Sequence, residues 1–113
     1  MKYFKSYMKK ALEQAKEAYK RAEIPVGAVL VDENNKVISM NHNRVIEMND
    51  PTAHAEILCI REACQKFKNT YLKDCSIYVT LEPCPMCSFA ISKVQIKNIF
   101  YGIDDPKREN KIK

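Results

Sequence analysis

The sequence predicts an α/β fold, one domain built as a three-layer α/β/α sandwich around a mixed sheet. Three observations carry that prediction. Apolar residues recur at helical spacing in some stretches and at alternate positions in others. A continuous apolar run, Val26-Gly27-Ala28-Val29-Leu30-Val31, has the pattern of a strand covered on both faces. Two late strands are separated by a helix, which implies a right-handed parallel crossover. An earlier hairpin adds antiparallel pairing, so the sheet is mixed, with helices on both faces. A chain of 113 residues suits a single core, and residues 1–113 are expected to form one domain.

Each element follows from local chemistry. Phe4, Tyr7, Met8, Ala11, Leu12, Ala15, Ala18, Tyr19 and Ala22 follow the i, i+3, i+4, i+7 rule, predicting an amphipathic helix over 4–22. Pro25 bars its continuation. The apolar run follows as a strand. Asp32-Glu33-Asn34-Asn35 is turn chemistry, and Lys36 to Met40 resumes as the second arm of a hairpin. Residues 41–52 are polar and read as a loop. Asp50 or Thr52 is expected to cap a helix starting near Ala53, with Pro51 in its first turn and Ile57, Ile60 and Cys64 facing the core. Ser76 to Leu81 alternates as a strand, Pro85 opens a helix to about Lys93, and Gln95 to Gly102 forms the last strand.

Composition narrows the class. The net charge of +5 is uneven: residues 1–22 hold seven Lys/Arg against two Glu, and residues 93–113 hold six against three acids. Basic ends around an acidic middle suit a polyanion as well as they suit solvated surfaces. No apolar run approaches the roughly 18 residues of a membrane span, and the start lacks a secretory pattern. A soluble, cytoplasmic protein is expected. Five cysteines are an odd number, so a disulfide framework is disfavoured, and Cys59, Cys64 and Cys75 read as packed free thiols.

The chemistry is concentrated in His54-Ala55-Glu56 and Pro83-Cys84-Pro85-Met86-Cys87. One His and two Cys can hold zinc with a fourth position open to water, while Glu56 reaches that water without ligating the metal. Both ligand sets are expected where helices begin, and the unpaired N–H groups there favour thiolates. A closed zinc knot would need a fourth protein ligand, for which His42 and the other cysteines are candidates. None of these has a second ligand-like spacing. A redox Cys-x-x-Cys would leave His54 and Glu56 unexplained. Asn43, after a strand and before the site helix, is either a turn residue or an amide offered to a purine edge. Glu82 is either a pocket carboxylate or a partner to the ligands.

These motifs resemble the zinc-dependent nucleobase deaminases, whose pattern is His-x-Glu followed by Pro-Cys-x-x-Cys. Pro25 to Val31, His42-Asn43-Arg44, Asp50 to Glu56 and Tyr78 to Cys84 are more specifically similar to bacterial tRNA-specific adenosine deaminases. The similarity runs from about Tyr7 to Lys107. It implies a cytidine deaminase-like fold, Zn2+ as cofactor, and hydrolytic conversion of adenosine to inosine at the wobble position of tRNA.

Carried over by position, the resemblance implies that His54, Cys84 and Cys87 bind zinc and that Glu56 moves the protons. Asn43 would hydrogen-bond the flipped-out base, and Val26, Ala55 and Leu81 would line its pocket. Arg44, Asp50 and Asp105 would lie near the RNA. The implied partners are a tRNA anticodon stem-loop and a second copy of the chain in a homodimer, with neither membrane nor DNA expected. The family continues past the position of Gly102 through a glycine-rich loop, another strand and a C-terminal helical segment. This sequence runs to Lys113 without them. Two other functions stay open on the residues: a deaminase of a free guanine- or cytosine-type base or nucleotide, and a non-catalytic zinc-stabilised RNA-binding module.

Overall fold

The structure is a computed structural model and describes residues 3–103. Its elements are α1 (Phe4–Lys20), β1 (Gly27–Val31), β2 (Val37–His42), α2 (Val45–Met48), α3 (Ala55–Phe67), β3 (Ser76–Leu81), α4 (Pro85–Lys93) and β4 (Asn98–Ile103). The strands form one sheet in the order β2-β1-β3-β4. β1 pairs antiparallel with β2 and with β3, whereas β3 and β4 run parallel across α4. The sheet is mixed, as the hairpin and crossover require.

β1 is buried along its whole length because its two faces serve two cores. Ala28 and Leu30 point with Ile77 and Val79 into a cluster completed by Cys59, Ile60 and Ala63 of α3 and Ile91 of α4. Val29 and Val31 point the other way, with Tyr78, onto Tyr7, Met8 and Ala11 of α1. The three layers are therefore α1, the sheet, and α3 with α4. Around the α1 core, Tyr78 stacks on Phe100 at 4.8 Å and meets Tyr7 at 5.1 Å between ring centroids. The Tyr7 hydroxyl donates to the carbonyl of Asn35 in the hairpin turn.

Small residues let α1 lie on the sheet. A Cβ added at Gly27 would sit 2.0 Å from the carbonyl oxygen of Ala11 and 2.6 Å from the nitrogen of Ala15. Helix and strand backbones touch there, so glycine is needed at position 27 for space. Its N–H donates to Thr80 Oγ1 of β3 at 3.1 Å.

Several expectations need correction. α1 ends at Lys20, and Leu12 and Tyr19 are exposed, because its buried face centres on Ala11, Ala15 and Ala18. The segment 41–52 contains the end of β2 and the short helix α2. The cap of α3 is His54 in extended conformation, preceded by a turn at Pro51 and Thr52; Asp50 and Thr52 bond each other instead of capping it. β4 starts at Asn98, with Ile96 half-buried ahead of it. Cys59 and Cys75 are buried thiols as expected, pushed up to about 12 and about 11 respectively, chiefly by desolvation. Asp105 and the charged segment after it lie outside the described residues. Among the described residues no helix is long and apolar enough to cross a membrane.

Candidate active site and metal centre

Two helix starts build the site. His54 caps α3 and Cys84 caps α4, both extended, so each side chain leaves the chain just before the helix and the two project toward each other. Pro85 occupies the first turn of α4, where its missing N–H costs nothing. Cys87 lies one turn on, and its N–H donates to Cys84 Sγ at 3.5 Å.

His54 Nδ1 is 3.6 Å from Cys84 Sγ and 3.4 Å from Cys87 Sγ, and all three ligand atoms fall within 4.8 Å of one another. Zinc bonds of about 2.0–2.3 Å at tetrahedral angles place such ligand atoms about 3.6 Å apart. The spacing therefore fits a tetrahedral metal with one position left over. Among the described residues no other His, Cys, Asp or Glu joins this group. His42, a candidate for a closed site, is instead engaged through Nδ1 with Gln14 Oε1 at 2.9 Å.

The electrostatics agree with the spacing. Desolvation holds His54 below its usual range, which favours the neutral imidazole a metal requires. Cys87 is fully buried, and desolvation first, then the charges of Glu56 and Cys84, push its thiol far up. A buried thiol and a buried carboxylate side by side call for a cation.

A cavity of about 360 Å³ opens beside these groups, lined among others by Val26, Asn43, His54, Glu56, Leu81 and Cys84. Glu56 is buried and lies in the first turn of α3. The Asn43 side-chain oxygen accepts the N–H of Ala55 at 2.8 Å, which leaves Nδ2 as the group it can offer a ligand. Ala55 is buried and contributes this N–H without lining the cavity.

Arg44 and Asp50 do not line the cavity either. Arg44 donates to Asn41 Oδ1 at 2.7 Å and pairs with Glu47 at 2.9 Å. Asp50 accepts both the N–H and the hydroxyl of Thr52, and that hydroxyl bond first, then the N–H bond, holds its carboxyl below its usual range.

Sequence reading missed part of the wall. Ala22, Glu23, Ile24, Val45, Ile46 and Pro51 also line the cavity, along with Glu82, for which a pocket position was one of two readings. The adjacent apolar pair Val45-Ile46 inside a mostly polar loop was the available signal.

Comparison with known proteins agrees with this geometry. The family model for the cytidine and deoxycytidylate deaminase zinc-binding region matches residues 1–103. The tRNA-specific adenosine deaminase of Aquifex aeolicus is 48% identical over 101 residues, covering 89% of this chain and 66% of its own length. That of Rickettsia bellii is 50% identical, covering 88% of this chain and 70% of its own length. The chain thus spans about two thirds of the length of the curated relatives it matches.

Among solved structures, one from studies of A-to-I editing by tRNA:A34 deaminases superposes with a TM-score of 0.89 at 48% identity, covering 91% of this chain and 78% of that one. A guanine deaminase from Bacillus subtilis gives 0.87 at 36% identity, covering 95% and 68%. The chain belongs to the family of the cytidine and deoxycytidylate deaminase zinc-binding region.

Proposed function

We propose that the protein is a zinc-dependent hydrolase that converts adenosine to inosine at the wobble position of a tRNA anticodon, acting in the cytoplasm. One observation carries the reading: His54 Nδ1 and the two thiols converge at metal spacing beside a base-sized cavity into which Glu56 is built. The 48–50% identity to tRNA-specific adenosine deaminases selects adenosine in RNA within the family's range of substrates.

Zinc held by His54, Cys84 and Cys87 supplies Lewis-acid activation of water at neutral pH. Glu56 takes a proton from the attacking water and passes it to N1 of the purine. The second proton of that water then goes to the amino group, which leaves carbon 6 as ammonia while the oxygen stays. Asn43 donates through Nδ2 to an acceptor on the base, its amide held in that orientation by Ala55 N–H. Val26 and Leu81 supply apolar walls against the ring faces. A base must leave its stack to enter such a cavity, which is easiest in a single-stranded loop. Arg44 and Asp105 are proposed RNA contacts, with Asp50 shaping the turn before α3.

We also propose a homodimer. Phe89 of α4 is 70% exposed and Met86 36%, an apolar pair that a second copy would cover. Sedimentation of the protein across micromolar concentrations tests this, and a monomer throughout would refute it.

The main reading is tested by incubating zinc-loaded protein with an anticodon stem-loop and sequencing for inosine. No inosine from a folded, zinc-loaded sample sinks the assignment. A second reading, deamination of a free guanine-type base, is favoured by the TM-score of 0.87 to a guanine deaminase. It gains if small purines release ammonia while the stem-loop stays unchanged.

A further inference from the structure

We propose that Glu23 is a positioning residue whose buried carboxylate clasps α2 to the end of α1 and thereby sets an apolar lip, formed by Ile24 and Ile46, at the mouth of the cavity. The inference rests on the adenosine-in-RNA reading for what the lip grips, but not for the clasp itself.

Glu23 is 5% exposed and lines the cavity, yet both of its oxygens are committed elsewhere. One accepts the N–H of Ile46 at 3.0 Å and the other the N–H of Glu47 at 2.8 Å. These are second and third amides of α2, the donors that a helix start leaves unpaired. The N-cap residue of α2, Arg44, provides no side-chain cap. Glu23 therefore does from 23 residues away what a capping side chain does locally. A second tie lies outside it, where Glu47 pairs with Arg21 at the end of α1 and with Arg44 ahead of α2.

The clasp has a consequence for the mouth. Ile24 is 68% exposed and Ile46 64% exposed, although both line the cavity. Each is tied to the clasp directly: Ile24 is the next residue after Glu23, and Ile46 donates one of the bonded amides. Apolar side chains that stay in the open beside a base-sized cavity gain little from a free base sunk inside it. They gain by contacting sugar and neighbouring bases of a substrate that continues outside. Glu23 thus acts on substrate affinity, through wall position, and leaves proton transfer to Glu56.

The experiment combines amide hydrogen exchange with steady-state kinetics on an anticodon stem-loop. Glu23→Ala is expected to speed exchange at Ile46 and Glu47 at least tenfold relative to the amides of β1, and to raise KM about tenfold with kcat within twofold. Glu23→Gln, which keeps one acceptor oxygen, should restore part of both effects. Ile46→Ser should raise KM without changing exchange at Glu47. Unchanged exchange in Glu23→Ala would overturn the clasp, even if that variant loses activity. A fall in kcat at constant KM would overturn the positioning role. Should Glu23→Ala not fold, Glu23→Gln carries the same comparison. A parent protein that deaminates no stem-loop removes the adenosine-in-RNA reading and the lip with it, while the exchange data still decide the clasp.

Discussion

Asn43 and Ala55 are joined by a 2.8 Å hydrogen bond from the first amide of α3 to the Asn43 side-chain oxygen. The residue proposed to hold the base is therefore also a cap of the helix that carries His54 and Glu56. The two roles can be separated. Asn43→Ala should lose about 1 kcal/mol of stability and about 10- to 100-fold in kcat/KM. Asn43→Asp keeps an acceptor for Ala55 N–H but has no Nδ2 donor, so it should keep most of the stability and lose the activity. Equal stability losses in both variants would refute this division.

Glu56→Gln should lower kcat by about 10²- to 10⁴-fold, the range for removing a general acid–base group. Zinc content and melting temperature should match the parent. The measurement also separates an enzyme from a zinc-stabilised binding module, because only an enzyme has activity for the substitution to remove.

Metal analysis should give one zinc per chain, falling to a small fraction of that in His54→Ala or Cys84→Ser. Chelation should lower the melting temperature by roughly 10 °C, because the ligands tie together the starts of α3 and α4. A chelated protein that melts with the parent would argue against metal as a structural tie.

His42 gives a pH dependence of known sign. It is buried, and desolvation first, then the charges of Arg44 and Arg21 against Glu47 and Glu17, keeps its pKa below the usual 6.5. Between that value and its lower folded value, the unfolded chain binds the proton and the folded chain does not. Stability is therefore full above about pH 6.5 and declines as pH falls below it. Denaturant midpoints at pH 7.5, 6.5 and 5.5 should show the decline, and His42→Gln should flatten it. An unflattened profile would assign the slope to groups other than His42.

Gly27→Ala should be far more damaging than an ordinary strand substitution. The new methyl would meet Ala11 and Ala15 backbone atoms at 2.0 and 2.6 Å, and neither is a flexible side chain that can move aside. A loss of about 3 kcal/mol, or a melting temperature lower by about 10 °C or more, is expected from such overpacking.

The comparison of sequence with structure has a physical pattern. β1 was legible because a strand buried on both faces must be apolar throughout, and Val26 to Val31 is. The metal group was legible because His54, Cys84 and Cys87 are set by local helix starts, each readable within a few residues. Leu12 and Tyr19 misled because periodicity finds an apolar stripe but not its centre, and the close contact at Gly27 fixes that centre on the alanines. Glu23 was invisible because its partners lie 23 and 24 residues away, a pairing that no local pattern encodes. The α3 cap was misplaced for a similar reason. Asp50 and Thr52 are good capping residues that found each other, and the distant Asn43 took the helix amide.

The contact at Gly27 also makes α1 behave as a lever. Its fulcrum is the stretch where Ala11 and Ala15 rest on β1, and its far arm ends at Lys20, from which the chain turns through Ala22, Glu23 and Ile24 at the cavity. A rigid rod pivoting near its middle converts a small rise at the pivot into displacement at the tip. Volume added at Ala11 or Ala15, which are buried and do not line the cavity, would thus be registered at the mouth of the site as a tilted wall.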